Sequence, residues 1–210
     1  MPLNLKHAVG GTALAIVCVA SIASVASAQE RMNLRGTIEK VDGQVLNVAS
    51  RDGTPLIIKL ADNTGFRGVV TVPLSDLKPG SYVGISSMPQ ADGSQRAIAI
   101  TLFPEGVRPT EGQRPHDLQP GSMMTNAPVE TVVAGADGQV LTVKYKQGDK
   151  VDEKKIIVPS NAPIVTYVPG DKSELKPGVK IVIFNAVKQS DGTWQGASVN
   201  IGRQGMMPPM

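Results

Sequence analysis

Apolar and polar residues alternate along most of the chain, in short runs separated by turn signals. In the first such run Leu34, Gly36 and Ile38 share one face, and polar or charged residues share the other. Asp-Gly and Pro-Gly pairs separate successive runs. A period of two with turn residues between the runs is typical of β-strands. The pattern therefore predicts an all-β protein.

The alternating runs come in two similar sets. The segment Asp42–Val48 recurs as Asp137–Val143, and both begin Asp-Gly-Gln-Val-Leu. Further along, Ser75–Gly80 recurs as Ser173–Gly178 in the same order. Such self-similarity indicates two copies of one folding unit. The sequence thus predicts two β-domains, which occupy residues 34–103 and 128–203.

Each copy contains five predicted strands, with a longer stretch between the third and the fourth. In the first copy this stretch is Ala61–Leu77. Five strands with an insertion at this point resemble the small closed barrel that binds oligonucleotides and oligosaccharides, called OB-like here. Closure would also remove the exposed edges of a five-stranded sheet. We expect two tandem OB-like barrels, with a flat meander or a small sandwich as the alternatives.

Proline and glycine dominate the segment between the two copies. Residues 104–127 include Pro104, Pro109, Pro115 and Pro120, and no alternating run. This composition predicts an extended Pro-rich linker. The last residues, 204–210, also lack a strand pattern and predict a flexible tail.

The N-terminal segment has the order of a cleavable signal peptide. Lys6 precedes an apolar run that ends in the small residues Ala26, Ser27 and Ala28. The alternative is a membrane anchor, but glycines and serines interrupt the run, and a spanning helix needs about 20 apolar residues. We therefore expect cleavage of residues 1–28 and a periplasmic or secreted protein without a membrane span. The only cysteine, Cys18, would leave with the signal peptide.

Two motifs in the first copy carry a family resemblance. Gly36–Val48 reads Gly-x-Ile-x-x-Val-Asp-Gly-x-x-Leu-x-Val, and Leu77–Gly80 reads Leu-Lys-Pro-Gly. With them the chain resembles an uncharacterised exported bacterial family of tandem small β-barrel domains of unknown function. The second copy departs from the motif with Thr131 in place of Gly36. Relatives sometimes carry metal-transporter permease labels, which a chain without membrane spans contradicts. The resemblance implies a fold and export, and no activity.

The charge of the chain and its distribution argue against nucleic-acid binding. The formal net charge is +3 for the full chain and would fall by one when Lys6 is removed, which is too small to suggest a phosphate-binding surface. Lysines cluster around Tyr145, but Asp149, Asp152 and Glu153 lie among them. A solvated hairpin explains this mixture better than a nucleic-acid groove does.

The inventory of reactive side chains argues against an enzyme. After cleavage the chain has no cysteine and a single histidine, His116, within the predicted linker. A nucleophilic triad needs a histidine held by a framework, so we expect neither a catalytic site nor a bound cofactor. Several aspartates precede glycine at predicted turns, and their role in turns explains them without catalysis.

Soft ligands lie outside the predicted strands. Thioether and imidazole groups together favour ions such as Cu(I). The alternative is that these methionines bind no metal, because methionine is common in loose linkers and tails. The candidate metal ligands are His116, Met123, Met124, Met206, Met207 and Met210.

The function that these observations favour is non-enzymatic. We predict an exported binding protein or an envelope-associated accessory protein, whose partner is an unidentified envelope protein or small ligand. The alternative is a periplasmic Cu(I)-binding protein that uses the methionines and the histidine of the linker and the tail.

Overall fold

A computed structural model describes residues 29–209, and these form strands joined by short loops. The predicted signal peptide, residues 1–28, lies outside the described residues. The strands are β1 (Arg31–Asp42), β2 (Val45–Ser50), β3 (Pro55–Lys59), β4 (Gly65–Thr71), β5 (Tyr82–Pro89), β6 (Gln95–Leu102), β7 (Gly112–Pro115), β8 (Met123–Gly135), β9 (Gly138–Gln147), β10 (Lys150–Val158), β11 (Ile164–Pro169), β12 (Lys180–Lys188), β13 (Trp194–Gln195) and β14 (Ser198–Gly202).

The helical structure among residues 29–209 consists of single 3-10 turns: Leu74–Asp76, Lys172–Glu174 and Arg203–Gly205. Asp171 caps the second of them, because its side chain accepts a hydrogen bond from the backbone N–H of Ser173. No helix in this range is long and apolar enough to cross a bilayer. The prediction of an all-β fold is confirmed.

Five strands close a small barrel, which we call ring 1. Strand β1 pairs antiparallel with β2 on one side and with β12 on the other. Strand β2 continues to β3, and β3 runs parallel to β13, where Ile58 pairs with Trp194. Strand β13 then returns to β12 and completes the circle. A closed five-stranded barrel, as the sequence indicated, is therefore present.

A second circle of pairings, ring 2, repeats this order with other strands. Strand β8 pairs with β9 and with β5, and β9 continues to β10. Strand β10 runs parallel to β6 through Ile156 and Gln95, and β6 pairs with β5. The parallel contact thus occurs at the same place in both rings.

The rings do not coincide with the two copies seen in the sequence. Ring 1 takes β1, β2 and β3 from the first copy, but β12 and β13 from the second. Ring 2 takes β8, β9 and β10 from the second copy, but β5 and β6 from the first. The expected arrangement, with one barrel in 34–103 and another in 128–203, is therefore not what the strand pairing shows. The exchange arises because β4 leads the chain out of ring 1 before β5 begins.

Strands β4 and β11 form the junction at which the copies cross. They pair antiparallel with each other, and Val69 faces Tyr167. Val69 lies six residues before Ser75, and Tyr167 lies six residues before Ser173. Equivalent positions of the two copies thus pair directly, so an approximate twofold axis passes through this pair of strands.

Each ring encloses its own apolar core, and burial of these side chains stabilises the fold. Both cores are mainly aliphatic, with Trp194 added in ring 1 and Tyr145 in ring 2. Fully buried members include Leu46, Ile58 and Ile181 in ring 1 and Ile85, Leu141 and Ile156 in ring 2.

The predicted linker contains regular structure. Strand β7 pairs antiparallel with the beginning of β8, and Met123 already belongs to β8. The segment therefore folds back as a hairpin instead of running extended. At the other end, Pro208 is buried, and a Cβ on Gly202 would meet the carbonyl oxygen of Met206. Residues 204–209 thus pack against β14, in contrast to the expected loose tail.

Candidate ligand-binding cleft

A cleft of about 370 Å³ opens between the two rings, which we call the central cleft. The crossing strands form one wall and the β7–β8 hairpin forms another. Its lining includes two arginines, Arg67 and Arg114, and three aromatic residues, Phe103, Tyr167 and Phe184. Concave sites with apolar walls and a few polar groups are the usual places for small ligands.

The two arginines carry positive charge into this cleft. Arg67 lies on β4 with its guanidinium carbon 5.8 Å from the centre of the Tyr167 ring. Arg114 lies on β7, on the opposite wall. Among the hydrogen bonds and ion pairs of residues 29–209, neither guanidinium has a carboxylate partner. Both therefore remain available to an anion, which a guanidinium can bind with two parallel hydrogen bonds.

The aromatic side chains give the cleft an apolar surface. The ring of Phe103 lies 6.0 Å from the ring of Tyr167 and 6.1 Å from that of Tyr82, both tilted. Burial raises the pKa of Tyr167, so its hydroxyl stays neutral at ordinary pH. Aromatic residues are rare in this chain, and their convergence at the junction is a property of the crossing strands.

His116 lies at the edge of the cleft, with a side chain only 8% exposed. Its Nδ1 is 3.1 Å from the hydroxyl of Ser86, and its Nε2 is 3.3 Å from Asp117 Oδ1. Burial lowers the pKa of His116, although the charge of Asp117 opposes this effect. A neutral imidazole thus links β5 to the hairpin. The sequence predicted that His116 lies in an extended linker, and that expectation was wrong.

Asp117 ties the hairpin to ring 1. The guanidinium of Arg35 donates to it through both terminal nitrogens, at 2.6 and 3.0 Å. Asn33 Nδ2 donates to the same carboxylate at 3.1 Å. Burial alone would raise the pKa of Asp117, but the hydrogen bonds and charge of Arg35 outweigh it and hold the pKa below its ordinary value. This bidentate pair fixes the distance between the ring and the hairpin.

Ser86, His116 and Asp117 have the residue types of a hydrolytic triad, but their surroundings favour a structural role. Ser86 is fully buried, so its hydroxyl cannot reach a substrate. Both oxygens of Asp117 already accept hydrogen bonds from Arg35. The distances are those of a hydrogen-bonded network, and the absence of an enzymatic role stays a prediction.

Backbone strain marks the other side of the cleft. Asn185 has a φ of 50°, a left-handed backbone conformation that residues other than glycine rarely adopt. Its N–H donates to Asn33 Oδ1 at 3.0 Å, which holds this conformation in place. Such strain persists where the surroundings impose it, and it concentrates at binding sites.

No relative identifies this chain. Comparisons with protein-family models, with curated proteins and with solved structures find no match. The resemblance noted above therefore stays a prediction.

Five of the six predicted metal ligands lie among the described residues, and they belong to different parts of the fold. His116 and Met124 both line the central cleft, and Met124 is buried on β8. Met123 precedes Met124 on the same strand, whereas Met206 and Met207 lie beyond β14. Met210 lies outside the described residues. In residues 29–209 no three histidine, cysteine or acidic side chains cluster as a metal site.

Sequence reasoning missed the arginines and aromatic residues of the cleft. Arg67 and Tyr167 lie on β4 and β11, within stretches that were interpreted as connections between strands. The sequence contains one signal for the aromatic residues: because only 3% of the chain is aromatic, Phe103 and Tyr167 are unusual. Their convergence depends on the exchange of strands, which no local pattern encodes.

Proposed function

We propose that this chain is an exported, non-enzymatic binding protein whose ligand is a small organic anion with a flat apolar part. The observation that carries the proposal is the pair Arg67 and Arg114 without carboxylate partners, facing three aromatic rings in one cleft. The guanidinium groups suit a carboxylate or sulfonate, and the rings suit the body of the ligand. Export to the periplasm or beyond rests on the N-terminal sequence alone.

The burial of the surrounding groups supports a preformed site. Asn126 in the wall is buried, and its side chain donates to the carbonyl of Thr110 at 3.0 Å. The Arg35–Asp117 pair holds the hairpin wall against ring 1. A ligand that enters such a cleft does not need to order its walls, which lowers the cost of binding.

A thermal-shift screen of aromatic carboxylates, aromatic sulfonates, aliphatic carboxylates and inorganic phosphate tests this proposal on the chain from residue 29 onward. We expect aromatic anions to raise the melting temperature, because binding to the folded state stabilises it. Isothermal titration then measures affinity for the best compound. The variants Arg67→Gln and Arg114→Gln should each weaken binding about tenfold or more, as loss of a charge-assisted hydrogen bond requires.

Arg31→Gln is the matched control. Arg31 is exposed and does not line the central cleft, so this variant should bind as the parent chain does. Equal weakening by all three variants would indicate a general charge effect and reject the site. Stabilisation by phosphate alone would reject the role of the aromatic rings.

A second candidate is binding of Cu(I), which the meeting of His116 and Met124 in one cleft favours. Imidazole and thioether are suitable ligands for this ion. The imidazole would have to leave Ser86 or Asp117 to bind it. Competition with a chromophoric Cu(I) chelator tests the idea: Met124→Leu should weaken binding while Met88→Leu should not. Equal affinities for both variants would exclude the cleft as a copper site.

A further inference from the structure

The two rings can be superimposed residue by residue through their strand pairing. Ile85 lies ten residues after Ser75, and Ile183 lies ten residues after Ser173. Ile85 pairs with Thr125 on β8, and Ile183 pairs with Leu34 on β1. Thr125 of ring 2 is thus the counterpart of Leu34 of ring 1. By the same register, Asn126 is the counterpart of Arg35. Counted along the strands, Met123–Asn126 then corresponds to Met32–Arg35, although a bulge between Met32 and Leu34 shifts the pairing of β1 with β12 in ring 1.

These equivalent stretches differ in what lies beside them. In ring 2, β7 pairs antiparallel with Met123–Asn126, so this part of β8 has a strand on both sides. In ring 1, β12 pairs with β1 along Met32–Arg35, but β2 joins only from Gly36 onward. Within the described chain, no strand takes the place of β7 beside β1. The edge of β1 is open there.

The open edge lies in a cleft of about 630 Å³, which we call the edge groove. Met32 and Leu34 of β1 line it, opposite Leu56 of β3 and Trp194 of β13. The side chain of Met32 is 46% exposed, one of few large apolar side chains that face solvent among residues 29–209. An open strand edge beside apolar pockets is the arrangement that binds extended peptides.

A buried donor in the groove points to the same kind of occupant. Arg35 is buried, and its Nε has no hydrogen-bond acceptor among residues 29–209. Its counterpart in ring 2 is Asn126, whose side chain donates to the carbonyl oxygen of Thr110, just before β7. The equivalent acceptor in ring 1 would be a backbone carbonyl of a segment in the edge groove. Buried donors normally have such a partner.

We propose that the edge groove of ring 1 binds an extended segment of a partner polypeptide, which adds as a strand antiparallel to Met32–Arg35. The segment takes the place that β7 occupies in ring 2. Its backbone pairs with the edge of β1, and one of its carbonyls accepts the Nε–H of Arg35. Because side chains of a strand alternate, every second residue faces the groove, and an apolar residue there packs near Met32 and Trp194.

Selection from a phage library of random ten-residue peptides tests this proposal on the chain from residue 29 onward. Enriched peptides are synthesised and titrated while the emission of Trp194, the only tryptophan of the chain, is followed. We expect peptides with alternating apolar residues, saturable changes in emission and micromolar dissociation constants. The variant Met32→Glu should weaken binding at least tenfold.

Val151→Glu is the matched control, because Val151 is 66% exposed on β10 of the other ring. It should leave affinity unchanged, and thermal melts should show that both variants fold. The proposal is overturned if no peptide is enriched, or if enriched peptides bind Met32→Glu as tightly as the parent chain. Light scattering tests whether a second copy of the chain occupies the groove instead. A parent chain that is a dimer, and that Met32→Glu converts to a monomer, would show that it does and would also overturn the proposal.

Discussion

Ring 1 and ring 2 have the same strand order, but within residues 29–209 a β7-like strand covers only one of them. In ring 2 the β7 strand lies against β8 and extends the sheet. In ring 1 the equivalent edge, Met32–Arg35, faces a groove. The duplicated parts of the sequence account for what the rings share. The connection between the copies occurs once, so it can cover only one ring. The edge of β8 in ring 2 is therefore paired, whereas the equivalent edge of β1 in ring 1 is open.

The same connection joins the rings. The turn of its β7–β8 hairpin contains Asp117, which accepts two hydrogen bonds from Arg35 of ring 1. Arg51 of ring 1 donates to the carbonyl of Leu118 at 2.9 Å. The segment thus covers ring 2 while it is fastened to ring 1. The difference between the rings therefore comes from a segment that also fixes their relative position.

The largest expected effect concerns an isolated copy, Gln29–Phe103. Because β1 and β3 pair in this structure with β12 and β13 of the other copy, we expect the fragment to fold as a homodimer that reproduces the exchange around Val69. Its melting temperature should then rise with protein concentration, as dimerisation linked to folding requires. Sedimentation velocity and circular dichroism measure both properties.

The control for this fragment is the chain from residue 29 onward, in which the two copies are already linked. Its melting temperature should be independent of concentration. A fragment that melts cooperatively as a monomer would show that one copy can close its own ring. The exchange would then reflect the linkage of the two copies and not a requirement of the strands.

The fold was predictable as far as local patterns determine it. Alternation of residues such as Leu46 and Val48 identified strands, and the Asp-Gly turns located hairpins. Which strands pair was not predictable, because β5 has the same apolar face whether it returns to ring 1 or joins ring 2. That choice depends on the direction in which β4 leaves the ring, which the whole arrangement decides.

A second prediction compares equivalent core positions. Leu46 in ring 1 and Leu141 in ring 2 are both fully buried. Leu46→Ala and Leu141→Ala should each lower the free energy of unfolding by about 2–5 kcal/mol, because each removes apolar contacts and leaves a cavity. Since every ring contains strands of both copies, we expect one denaturation transition in each variant, measured by urea titration.

The exposed Val151 provides the control, and Val151→Ala should change the free energy of unfolding by no more than about 0.5 kcal/mol. Two separate transitions in Leu46→Ala or Leu141→Ala would mean that the rings unfold independently. The exchange of strands would then contribute little to cooperativity.

The candidate site was much less predictable than the core. His116 was identified as the only histidine after cleavage, but its burial against Ser86 requires that the linker fold back as a hairpin. Prolines suggested the opposite, an extended chain. In the structure Pro115 ends the short strand β7, and His116 follows it directly into the turn.

The smallest expected effect concerns the pH dependence that this hairpin introduces. Burial lowers the pKa of His116 in the folded protein below the ordinary value of about 6.5. Between the folded pKa and this ordinary value, the unfolded chain binds a proton that the folded chain does not, so stability is lost as the pH falls from about 6.5 towards the folded pKa. His116 is the only histidine from residue 29 onward, and carboxylates titrate lower, so the window from pH 7 to 5 reports on it. His116→Gln should remove this decline in urea denaturation at the two pH values. The parent chain should keep it, and an equal decline in both proteins would mean that the imidazole is accessible to protons and that the hairpin does not bury it against ring 2.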